Sequence, residues 1–86
     1  MFEYKWLELA LKTLSDIYVT LDLADQDRMA AGVELFNARL ATDPLAVGES
    51  RVGAYRVAFP PLLRVYFYVD EVARRVEVTD AIRYGR

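Results

Sequence analysis

With 55% hydrophobic and 28% charged side chains, 86 residues make one globular domain, and a net charge of −2 argues against strong nonspecific binding to nucleic acid. The chain has neither cysteine nor histidine, which removes disulfide scaffolds, thiol nucleophiles, thiolate or imidazole zinc sites and any histidine base. Ser15 and Ser50 are its serines and have no histidine to activate them, so any catalysis must run on arginine, lysine, tyrosine and carboxylates.

The first residues, Phe2 to Trp6, alternate aromatic with polar side chains and predict a short strand. From Leu7 the period lengthens. Leu7, Ala10, Leu11, Leu14, Ile17, Tyr18 and Leu21 recur as on one face of a helix, with Glu8, Lys12 and Asp16 opposite. Asp22 or Asp25 caps a second helix striped by Met29, Val33, Phe36 and Leu40, in which Gly32 marks close helix packing. Pro44 disfavours helical geometry at Asp43 and ends it there. Gly48-Glu49-Ser50-Arg51 reads as a turn. Three strand-like runs follow, over 53–59, 62–70 and 75–83, separated by Pro60-Pro61 and by a looser hairpin at Asp70–Arg74. The expected domain, spanning 1–86, is therefore α+β: two N-terminal helices packed on a small, mainly antiparallel sheet in the order β-α-α-β-β-β.

Charge is divided unevenly along the chain. Residues 1–47 hold four basic against eight acidic side chains, and residues 48–86 hold seven arginines against five acids. Alternation in the later strands assigns Arg56, Arg64, Tyr66, Tyr68 and Arg75 to an open sheet face, a weak pointer to an anionic partner. Each has an alternative reading. Arg64 pairs with Glu77 or Asp70 across strands; Tyr66 and Tyr68 cover the sheet or meet a protein partner; Arg51 binds an anion or steadies its turn through Glu49. Arg74 and Arg75 read as a solvated hairpin tip, and Trp6 and Phe59 as core. Asp22, Asp25 and Asp27 lack the ligand series of a calcium loop, so no metal or other cofactor is expected. No apolar run approaches the roughly 18 to 20 residues of a membrane span, and Glu3, Lys5 and Glu8 interrupt any leader-like segment, so the expected compartment is the cytoplasm.

The order and spacing of Tyr4-Lys5-Trp6, Ala10-Leu11-x-x-Leu14-x-x-Ile17-Tyr18, Leu40-x-x-Asp43-Pro44, Gly48-Glu49-Ser50-Arg51, Tyr55-Arg56-Val57, Pro61-Leu62-Leu63-Arg64-Val65, Val69-Asp70 and Arg75-Val76-x-Val78 resemble the RelE/ParE superfamily of toxins from bacterial type II toxin–antitoxin systems, the plasmid-stabilisation type. The resemblance covers nearly the whole chain. It implies a small toxin wrapped by a cognate antitoxin and, for RelE-like members, metal-independent cutting of messenger RNA in the ribosome. On that alignment Arg64, Arg56, Arg83 and Tyr84 are the catalytic candidates. Arg51, Tyr66, Tyr68 and Arg75 are the binding ones. Ala58 stands where such enzymes carry a lysine, and no lysine follows Lys12. The alternatives are a noncatalytic interaction module, including a homodimer, and a ParE-like gyrase inhibitor.

Overall fold

The computed structural model describes residues 1–85. Strand β1 (Glu3–Trp6) leads into helix α1 (Glu8–Thr20) and helix α2 (Leu23–Thr42). A single 3-10 turn (Pro44–Ala46) then precedes β2 (Glu49–Ser50), β3 (Tyr55–Ala58), β4 (Leu63–Asp70) and β5 (Arg75–Arg83). The sheet order is β1-β5-β4-β3-β2; β1 runs parallel to β5 and every other pair is antiparallel. The α+β class and β-α-α-β-β-β order expected from the sequence are both present. The addition is β2, a two-residue ladder inside the segment read as a turn.

The helices begin and end for local reasons. Asp22 caps α2, its Oδ1 accepting the Asp25 amide at 2.9 Å, so one of the orphan donors of the first turn is satisfied. At the other end Asp43 leaves helical geometry before Pro44. Ala10, 1% exposed, is the point where α1 packs onto β5; its small side chain allows close approach. The apolar stripe of α1 is broader than this contact, because Leu11 and Tyr18 remain partly exposed.

Met29, Phe36 and Leu40 of α2 bury against one face of the sheet, which contributes Leu63, Val65, Phe67, Val69, Val76, Val78 and Ala81. Phe36 stands edge-on between Trp6, at 6.2 Å, and Phe67, at 5.7 Å. Trp6 donates its indole N–H to Asn37 Oδ1 at 2.8 Å, satisfying the polar edge of a half-buried ring. Gly32 does not mark helix–helix packing as expected. It faces Pro61, whose Cδ a Cβ at Gly32 would overlap, so the glycine lets the Pro60-Pro61 corner lie against α2. No helix among the described residues is long and apolar enough to cross a membrane.

Candidate functional site

Side chains directly opposite each other in an antiparallel ladder share a face, so the register assigns every candidate. On β4 the odd-numbered residues from Leu63 to Val69 are buried in the core, while Arg64, Tyr66, Tyr68 and Asp70 point to the other face and are half-buried. Tyr55 lies opposite Tyr68 and Val57 opposite Tyr66. Ile82 and Asp80 of β5 lie opposite Arg64 and Tyr66, and Glu77 opposite Tyr68. A bulge between Tyr66 and Phe67 places Thr79 as the extra residue, and its hydroxyl donates to the Tyr66 carbonyl at 3.3 Å.

Arg56 is not on this face. It lies opposite Phe67, on the helix side, and its guanidinium donates to the carbonyls of Val47 at 3.0 Å and Gly48 at 3.2 Å. The alternation of β3 was read in the wrong phase because Val57 looked inward-facing, whereas Val57 is buried on the open face and absent from the main core. Arg83 also points the other way, opposite core residue Leu63, and donates to the carbonyls of Tyr84 and Gly85. Phe59, expected in the core, is 46% exposed and stacks at 5.0 Å on Tyr84.

What the fold does assemble is a cluster of Arg64, Tyr66, Tyr84 and Phe59. The Arg64 guanidinium carbon lies 5.6 Å from the Tyr66 ring centre and 5.7 Å from that of Tyr84, both within cation–π range. The turn before β4 delivers these parts. Leu62 adopts φ 70°, which costs a leucine about 1 to 2 kcal/mol, and it is held there by burial at 4% exposure. Its carbonyl accepts the Tyr84 amide at 3.0 Å, fixing the segment after β5 beside the start of β4. Arg64 forms no ion pair among the described residues, with neither Glu77 nor Asp70. Its Nε is buried and has no hydrogen-bond partner among the described residues. A buried cationic N–H left without an acceptor is costly, and an oxygen brought to it would satisfy it.

The remaining candidates lie apart. Arg75 shares the open face but sits opposite Asp70, roughly 20 Å along β4 from Arg64. Arg51 steadies its turn, 3.5 Å from Glu49 and donating to the Ser50 carbonyl at 3.2 Å. Arg74 is exposed as expected but lies over the Phe2 ring at 4.5 Å. Sequence reading missed Tyr55, which is 44% exposed and meets Tyr68 edge-on at 5.2 Å; it shares the phase of Val57, which reads as inward-facing. No group of three or more carboxylates able to hold a metal occurs among the described residues. A groove of about 520 Å³ lies away from Arg64 between the helices, lined chiefly by Leu14, Tyr18, Val19, Met29 and Val33.

No protein-family model and no curated protein sequence matches the chain. Among solved structures it is similar to the RelE chain of an archaeal RelE–RelB complex from Pyrococcus horikoshii OT3, with a TM-score of 0.65 over 99% of this chain and 97% of that one, at 16% identity. The chain thus has the RelE fold.

Proposed function

We propose that this protein is the toxin of a toxin–antitoxin pair and that it cleaves single-stranded RNA at Arg64. The observation that carries this reading is the buried Arg64 Nε with no acceptor among the described residues, set among tyrosines on the sheet face opposite the helices. A phosphodiester oxygen supplies the missing acceptor, and the guanidinium then stabilises the negative charge that grows on the non-bridging phosphoryl oxygens. In that reaction the 2′-hydroxyl loses its proton as its oxygen attacks phosphorus. The bond to the 5′-oxygen breaks, and that oxygen takes up a proton. The Tyr66 and Tyr84 rings flank Arg64; a phenol O–H of one of them gives its proton to the leaving 5′-oxygen, while the 2′-hydroxyl proton passes to solvent water, which in turn reprotonates the phenolate. The fold shared with a toxin crystallised with its antitoxin supports a cognate antitoxin as partner. The apolar groove between α1 and α2 offers a surface for one of its segments.

Controlled induction of the wild type and Arg64→Ala in a bacterial host, with growth followed and new RNA 5′ ends mapped, tests the proposal. Arrest with discrete cleavage sites is expected, and Arg64→Ala should lower cleavage by about 100-fold or more. Normal growth with intact RNA at equal soluble expression would sink the nuclease reading. A second reading, a noncatalytic interaction module on the same fold, draws support from Arg56, which is committed to loop carbonyls instead of the open face.

A further inference from the structure

Val57 is 0% exposed, yet it lies on the face opposite the helices and outside the main core. With no helix over that face, only side chains of the same face close over it. Tyr66 lies directly opposite, and Tyr55 and Phe59 sit two residues either side. These rings therefore lie down across the sheet and present broad apolar surface to solvent, as the 44% exposure of Tyr55 and 46% of Phe59 record. With Tyr68 against Tyr55 and Tyr84 against Phe59, two ring pairs lie along this face, with Tyr66 and the buried Val57 between them. Arg64 to Tyr68 is four residues, or about 13 Å along the strand. Asp80 and Glu77 border these rings on the β5 side and Glu49, opposite Val57, on the β2 side; they repel phosphates and confine the track to the line of β4 and β3.

Resting on the reading of Arg64 as a phosphodiester site, we infer that the Tyr55–Tyr68 pair is a second base-binding subsite. It stacks an unpaired base of the same RNA strand whose phosphate Arg64 holds. Base stacking on an aromatic side chain tolerates any base, because each has a π-face, so the subsite adds affinity and demands a single strand without reading its sequence. Stacking carries no net charge, so the contribution of Tyr55 is insensitive to salt while that of Arg64 is not; Arg51, whose amide donates to the Tyr55 carbonyl at 2.8 Å, has its guanidinium 3.5 Å from Glu49.

The test uses the full chain and a fluorescein-labelled octamer of 2′-O-methyl uridine, which lacks the attacking hydroxyl and is not cut. Tyr55→Leu should weaken binding by about tenfold, Tyr55→Phe should restore it, and the slope of affinity against salt should not change. An octamer of abasic units should keep its dependence on Arg64 and lose that on Tyr55. If Tyr55→Leu binds the uridine octamer as the wild type does, or weakens the abasic octamer equally, the subsite is refuted while the Arg64 reading stands. If the wild type binds neither octamer, both fall.

Discussion

Gly32 sits in mid-helix, where alanine would ordinarily be favoured by about 1 kcal/mol. Here a methyl group would overlap the Pro61 ring, whose backbone is held by the turn from Pro60 to Leu63. Gly32→Ala is therefore expected to destabilise by about 1 to 3 kcal/mol, the usual cost of overpacking. Urea unfolding with an unchanged slope and a lower midpoint would show this, and a higher midpoint would contradict it. At the same scale, the outward direction of Arg64 was legible, since Leu63 and Val65 flank it and both are buried. That of Arg56 was not. Tyr55, Val57 and Phe59 are together more apolar than Ala54, Arg56 and Ala58, so the alternation of β3 points to the wrong phase, and only the pairing with Phe67 corrects it.

Among the elements, α1 and α2 were readable because their period and the capping Asp22 are local properties. The two-residue β2 carries no periodicity and exists through its ladder with β3, and Arg56 holds the chain leading into it by bonding Val47 and Gly48. Arg56→Ala should cost about 2 kcal/mol, as hydrogen bonds from a charged donor do, and should expose residues 47–54 to proteolysis. RNA cleavage per folded molecule should persist. Loss of cleavage at unchanged stability would instead return Arg56 to the reaction. Gly48 reinforces this corner: its φ of +66° and its contact with the Val57 carbonyl leave no room for a side chain.

For the whole molecule, the acidic balance limits how RNA is held. The net charge is −2, Arg64 lies against the Tyr66 and Tyr84 rings, and Arg51, across from Tyr55, is 3.5 Å from Glu49. Binding of single-stranded RNA should therefore fall only gently with salt, with a slope of log affinity against log salt near −1, as one or two neutralised phosphates give at about −0.7 each. Affinity measured between low and moderate salt checks this. A slope steeper than about −4 would mean that a broad basic surface carries binding, against the placement of Asp80 and Glu77 beside the rings.

The sequence by itself determined the class of the domain, the order of its longer elements, the end of α2 at Asp43 and the exclusion of histidine and cysteine chemistry. Periodicity, capping and proline geometry act within a few residues, and composition is independent of fold. Only the tertiary structure decided that β1 lies parallel to β5, that Arg56 and Arg83 turn away from Arg64, and that Tyr84 and Phe59 join it. Those facts depend on register between strands distant in sequence, where a shift of one residue exchanges the two faces of a strand.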